Sequence, residues 1–225
     1  TTTLGREGSD HSAAIFATIL KAESLVIWKD VLGVLNADPR YFKNPIKIDH
    51  LSFQEAIELA FYGASVIHPK TLQPLKKNNI PLVVRSFIKH QDKGTLISEK
   101  KNPNSDNSFH ILKKNQTLLS ISVNELDFIV ENHLSVAFSI LDRYNAKVSL
   151  VQISAVSCSF AIEIDDLLFA GLIQDLSEIF SVKYNRGLEL LTIRHYKEID
   201  VQKNLLGKEI LLSQKNRTTL QILYK

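Results

Sequence analysis

At 225 residues, 44% of them hydrophobic and 23% charged, the chain is long enough for one large or two small cores. The net charge of +3 comes from 27 basic and 24 acidic residues interspersed along the chain, which leaves no electrostatic footprint for nucleic acid; Lys76–Lys77 and Lys113–Lys114 read as solvated surface. No apolar run approaches the roughly 20 residues of a membrane helix, and no signal peptide is visible. The single cysteine, Cys158, cannot form an internal disulfide and suits a small core position in a reduced, cytoplasmic protein. The chain starts without methionine and directly on a motif, so it is expected to be a fragment or a trimmed product.

In chain order, Gly5 and Gly8 let the backbone turn closely past a ligand. Ser9 or Asp10 can then cap a helix carrying Ala13, Ala14, Ile15, Ala17, Ile19 and Leu20. A capped helix start after a glycine turn is a ready anion site, and Arg6 beside it offers a planar fork for a carboxylate or phosphate. A short buried strand is predicted at Ser24–Trp28, with Lys29 and Asp30 at its carboxyl end, where ligands bind in open α/β sheets. Beyond a surface loop at Asn44–Pro45, Ser52 and Glu55 form a capping box for a helix with Phe53, Ala56, Ile57, Ala60 and Phe61 on one face, stopped by Gly63. Pro69 opens a helix through Thr71, Leu72 and Leu75, closed by Asn78–Asn79, and strands are predicted over 81–87 and 94–97. Helices alternating with strands imply an α/β layered sheet.

Residues 99–108 form a polar, proline-bearing linker. After it, strand 117–123, a helix with Leu134, Ala137, Phe138, Leu141 and Tyr144 on one face, strands 147–153 and 159–165, helix 167–180 and strand 181–185 spell a β-α-β-β-α-β ferredoxin-like unit. His133 at the start of the first of these helices reads as a capping or surface residue. A partial second copy follows, with strand 188–194, helix 201–214 and strand 218–224.

Four ordered motifs, Thr2–Asp10, Ile27–Val34, Ala37–Arg40 and Phe61–Pro69, together resemble the second half of the aspartate kinase catalytic domain. The resemblance covers residues 1–98, the C-terminal part of an α/β amino acid kinase fold. It continues more loosely over 109–225 as the tandem ACT regulatory region of that family, built of α+β ferredoxin-like units. The first ACT unit would span about 117–186 and a partial second about 188–225, completed by 109–112. Lys113–Leu119 and Leu206–Ile210 are the segments most like the lysine-sensitive, single-function branch.

The resemblance implies roles residue by residue. Arg6 would hold substrate L-aspartate, with Ser9 and Asp10 beside it in the reaction centre, and the nucleotide contacts would be Lys29, Asp30, Leu35, Arg40, Ser65 and Val66. Many relatives have threonine, tyrosine and lysine where this chain has Lys29, Leu35 and Ser65, so the positive charge that a phosphate needs is expected to have moved from position 65 to Lys29. The implied reaction passes the γ-phosphoryl of Mg-ATP to the β-carboxylate of L-aspartate, giving 4-phospho-L-aspartate; a carboxylate is already a nucleophile, so no general base is required. No set of residues is assigned as a protein metal site. The family's amino-terminal lysine-phenylalanine-glycine-glycine motif does not occur here, so the chain is expected to hold half of the active site and not to turn over alone.

In the regulatory region the implied effector positions are Asp127, Val148, Ser149, Ser154 and Val156. Ser149 and Ala155 replace the aspartate and glutamate of lysine-inhibited relatives, so an effector's ammonium would lose its carboxylate partner and lysine control is not expected. The same residues could line a pocket for another ligand or an ACT-to-ACT homodimer interface, the interface being favoured. Two other classes stay open: a stand-alone ACT-type small-molecule-binding module, and an amino acid kinase acting on glutamate or a nucleoside monophosphate.

Overall fold

The computed structural model describes residues 8–64, 66–100, 107–123, 128–198 and 207–225. By contacts the chain divides into one unit of residues 1–112, 192–205 and 215–220 and another of residues 113–191, 206–214 and 221–225.

In the first unit, helix α1 (Gly8–Ile19) leads to strand β1 (Leu25–Lys29), followed by β2 (His50–Ser52), α2 (Phe53–Tyr62), α3 (Pro69–Lys77), β3 (Leu82–Ser86) and β4 (Thr95–Ser98). The sheet order is β1-β3-β4-β2, with β1 parallel to β3, β3 antiparallel to β4 and β4 parallel to β2. Leu82 and Val84 of β3, Leu72 and Leu75 of α3 and Phe53 and Leu59 of α2 form the centre of its core.

Local chemistry explains the helix ends. The Ser52 hydroxyl accepts the N–H of Glu55 at 3.1 Å, and Gly63 ends α2 at φ +111°, a left-handed conformation that glycine adopts without steric cost. Glu55 does not complete the expected capping box; its carboxylate is bonded to Arg194 instead. In α3, His68 is the cap, its Nδ1 accepting the N–H of Lys70. Pro74, four residues on, has no N–H for the Lys70 carbonyl, and His11 Nδ1 of α1 donates to that oxygen at 3.1 Å. A proline that would weaken an isolated helix thus becomes a cross-link to its neighbour.

Two expectations for this unit are corrected. Helix α1 includes Gly8, so Ser9 and Asp10 lie within its first turn rather than capping it; an acid there still suits the helix dipole. Strand β1 is not buried throughout, because successive side chains point to opposite faces of the sheet: Ile27 faces the core, while Val26 and Trp28 are 38% and 46% exposed.

The rest of the chain supplies β5 (Phe109–Ser122), α4 (Glu131–Arg143), β6 (Lys147–Ile153), β7 (Ser157–Glu163), α5 (Asp166–Ser177), β8 (Ser181–Arg194), β9 (Ile210–Lys215) and β10 (Thr219–Tyr224). The sheet order is β6-β7-β5-β8-β10-β9, and its first four strands with α4 and α5 make the predicted β-α-β-β-α-β unit. In the second unit, Leu119, Ile121, Cys158, Phe160 and Ile162 of the sheet are buried with Ile140 and Leu141 of α4 and Leu172 and Leu176 of α5. His133 caps α4 from its third position, its Nδ1 accepting the N–H of Val130 at 3.2 Å.

Three segment boundaries differ from expectation. Residues 109–112 and the expected strand 117–123, as far as Ser122, belong to one strand, β5, which passes through Asn115 at φ +56°. The segments 181–185 and 188–194 are likewise one strand, β8, passing through Gly187 at φ +71°. In both cases a turn-forming residue sits inside a long strand, held there by pairing with neighbours that no local pattern reveals. Of the predicted helix 201–214, residues 201–206 lie outside the described residues and 210–214 are strand β9. Ile210-Leu211-Leu212 suits either structure locally; a place beside β10, with Leu211 and Leu212 against Leu188, Leu190 and Leu223, decides for the strand.

Cys158 is fully buried on β7, and burial pushes its thiol up to about 11. At pH 8 only about one molecule in a thousand would carry a thiolate, so a disulfide reagent is expected to label the folded chain at least 100-fold more slowly than the urea-unfolded chain. Equal rates would contradict the buried position.

Candidate functional site

The residues after β1 build a cavity of about 640 Å³ in the first unit. Gly33 sits at φ +143° where a Cβ would come within 2.5 Å of Thr95 Oγ1. The Thr95 hydroxyl accepts the N–H of Val34 at 2.8 Å and donates to the carbonyl of Ile48 at 2.6 Å, so a buried side chain satisfies two loop groups that regular structure leaves unpaired. Asn36 anchors the next turn: its Oδ1 accepts the N–H of Ile46 at 2.7 Å, its Nδ2 donates to the Ser108 carbonyl at 3.1 Å, and its own carbonyl accepts the N–H of His110 at 2.8 Å. Asp38 accepts the backbone N–H of Arg40 and both its Nε and Nη2, the shortest contact being 2.6 Å. The Arg40 guanidinium thereby holds the Asp38 carboxyl below its usual range, and Asp38 raises Arg40 in turn.

Five of the six positions assigned to nucleotide line this one cavity: Lys29, Asp30, Leu35, Arg40 and Val66. Ser65 lies outside the described residues, as does Arg6. Asp10 and Lys29 meet, Oδ2 to Nζ at 2.8 Å, with side chains 13% and 20% exposed. The contact is an ion pair rather than an aligned hydrogen bond. Ser9, on the same first turn of α1, is exposed. The cavity therefore has Lys29, held by Asp10, and the Asp30 carboxylate at the mouth of β1, a second cation on the 38–41 turn, and apolar walls from Leu35, Leu59, Ala64 and Val66.

The effector positions are less gathered. Ser149 occupies a register shift in β6, between Val148 opposite Ile162 and Leu150 opposite Ala161, and its hydroxyl accepts from the Lys113 ammonium at 3.1 Å. Burial lowers the Lys113 pKa and Lys147 adds to this, against an opposing pull from Glu163. Ser154 instead closes the turn between β6 and β7, its hydroxyl 2.8 Å from that of Ser157, and Val156 is half exposed on that turn. Five residues of strand, roughly 16 Å, separate Ser149 from Ser154. Asp127 lies outside the described residues.

Asn36, Thr95 and His110 went unnoticed in the sequence, since each acts on backbone or cavity wall far from its own position. Asp38 was legible in principle: aspartate before proline favours turn initiation, and an aspartate side chain bonds the backbone N–H two residues on.

Residues 1–86 match the amino acid kinase family. Beyond that class, the chain is 38% identical over 202 residues to the lysine-sensitive aspartokinase 3 of Escherichia coli, covering 86% of this chain and 44% of that protein. It is 35% identical over 201 residues to the chloroplastic aspartokinase 1 of Arabidopsis thaliana, covering 85% of this chain and 35% of that one. Among solved structures, E. coli aspartokinase III with aspartate and ADP matches 99% of this chain and 53% of its own, with a TM-score of 0.82 and 33% identity. The aspartate kinase of Clostridium acetobutylicum matches with a TM-score of 0.85 and 26% identity, over 100% of this chain and 56% of its own. These likenesses support membership of the aspartokinase family. The chain spans less than half the length of these two curated relatives.

Proposed function

We propose that the chain works as part of an aspartate kinase that transfers the γ-phosphoryl of ATP to the β-carboxylate of L-aspartate. The observation that carries this reading is the single cavity lined by Lys29, Asp30, Leu35, Arg40 and Val66, with Asp10 against Lys29. Apolar walls suit an adenine ring and the two cations suit its phosphates. The ADP and aspartate bound by the E. coli relative are of the expected chemical class. Asp10 holds the Lys29 ammonium at the mouth of β1, so a phosphate would meet a positioned charge rather than a mobile one. Mg2+ would arrive on the phosphates, and the oxygen donors of Asp10 and Asp30 suit that ion; among the described residues no group of three acidic, histidine or cysteine side chains would hold a metal by itself. Arg6, beside Ser9 and Asp10, would hold the substrate carboxylate.

In this reading residues 1–98 are the C-terminal part of the catalytic domain, 99–108 a linker and 109–225 a tandem ACT region that pairs with a second copy in a homodimer. The similarity to the E. coli lysine-sensitive enzyme favours that branch. Lysine itself is not the effector: Lys113 already presents an ammonium to Ser149, and no carboxylate replaces the aspartate of lysine-inhibited relatives there. Cytoplasmic residence is supported by the buried reduced Cys158; among the described residues no helix is long and apolar enough to cross a membrane.

The test is a hydroxylamine trap for aspartyl phosphate, run on this chain and on the protein with an upstream catalytic half joined to it, with and without lysine. Trapped product only in the longer protein, undiminished by lysine, is expected; no product from either would overturn the assignment. Lys29→Ala in the longer protein should weaken nucleotide binding about 10- to 100-fold, the value of one charge-assisted hydrogen bond. An unchanged affinity would refute the idea that Lys29 carries the charge missing at position 65.

A further inference from the structure

Two consecutive residues remote in sequence from the cavity touch what builds both its walls. Arg194, 8% exposed at the end of β8, grips α2: its Nε donates to Glu55 Oε1 at 3.1 Å, its Nη2 to Glu55 Oε2 at 2.7 Å, and its Nη1 to Glu58 Oε2 at 3.4 Å and to Thr219 Oγ1 at 2.9 Å. Leu59 in the last turn of α2, with Gly63 and Ala64 just after it, forms one wall of the cavity. His195, held at φ +50° by an N–H bond to the Thr218 carbonyl, accepts the Ser108 hydroxyl on its own carbonyl at 2.9 Å. The Ser108 carbonyl in turn accepts Asn36 Nδ2, and Asn36 also lines the cavity. The His195 ring closes the circuit, Nε2 lying 3.2 Å from Glu55 Oε2.

We infer that Arg194 and His195 are positioning residues for the nucleotide cavity, setting the spacing of the α2 wall against the Asn36 wall through the Arg194 fork and the Ser108 hydroxyl. The inference rests on the reading of that cavity as the nucleotide site. A planar bidentate fork fixes both the distance and the rotation of α2, which a lysine's single charge cannot. A helix end displaced by a fraction of a turn moves Gly63 and Ala64 away from any bound ligand. All of the groups involved belong to the first unit.

The test is titration of the full-length protein with ADP, alongside melting curves, for wild type, Arg194→Lys, Ser108→Ala and Phe160→Ala. Phe160 is in the core of the second unit and serves as a destabilised control outside the network. Expected are ADP affinities about tenfold weaker for Arg194→Lys and severalfold weaker for Ser108→Ala, with Phe160→Ala melting earlier at unchanged affinity. If Arg194→Lys does not fold, Ser108→Ala decides alone. Unchanged affinity in the two network variants overturns the positioning role while leaving the nucleotide reading intact, and so does weakening that follows melting temperature across all three. Failure of the wild type to bind ADP removes both.

Discussion

Glu55→Ala is expected to destabilise the first unit by about 3 kcal/mol, because it leaves the Arg194 guanidinium buried beside a vacated site. Arg194 and Glu55 side chains are only 10% and 15% exposed, so solvent screening does little to soften the loss. The low end of the range for a broken buried pair is appropriate, since Thr219 and Glu58 still bond Arg194. For a chain of this size the corresponding fall in Tm is about 6–12 °C. Burial by itself would raise the Glu55 pKa, but the two hydrogen bonds and the charge of Arg194, with His195 adding, outweigh it and hold the carboxylate below its usual value. Such a group adds stability above its unfolded pKa and loses it as the pH falls through its folded pKa. Wild type should therefore lose stability on the acid side of the ordinary carboxylate range, and Glu55→Ala should lose less over the same interval. A variant with unchanged Tm and an unchanged acid limb would show that the pair contributes nothing. Glu55→Ala combined with Arg194→Leu should recover part of the loss, because it removes the stranded charge.

The largest effect on the second unit is expected from Phe160→Ala, at about 4 kcal/mol. Phe160 is fully buried on β7, opposite Leu119 of β5 and Val151 of β6, and its ring meets Phe138 of α4 edge-on, with centroids 5.5 Å apart at 87°. It ties the helix layer to the middle of the sheet, and the hole left by its ring would be walled by paired backbone that cannot collapse into it. Phe138→Ala should cost clearly less, because Phe138 is 43% exposed and already in contact with water. Urea unfolding of the two variants checks the order. Equal losses would mean that the ring contact, rather than burial, sets the energy.

Much of this architecture was legible because it depends on chemistry within a few residues. Ser52 and Gly63 bracket α2, Pro69 opens α3, and the alternation of Leu82, Val84 and Ser86 with less buried neighbours marks β3. The strand 147–153 was read to the residue. The gathering of Lys29, Asp30, Leu35, Arg40 and Val66 around one cavity was anticipated only through resemblance, since no spacing argument brings position 66 to position 29. Where reading failed, one residue admitted two structures. Asn115 and Gly187 look like turns and lie in strands, and Ile210-Leu211-Leu212 looks helical and is paired.

What the sequence alone determined, then, is the set of local elements, the β-α-β-β-α-β order, and the presence of a charged loop after the first strand. Those follow from capping, turn chemistry and hydrophobic period, all of which act over one to four residues. Folding in three dimensions was needed to bring Asp10 against Lys29, Lys113 to Ser149, and Arg194 between Glu55 and Thr219. The physical reason is range: an ion pair or a buried fork forms wherever folding brings charges within about 3 Å, and the 139 residues separating Glu55 from Arg194 carry no periodic signal of that meeting.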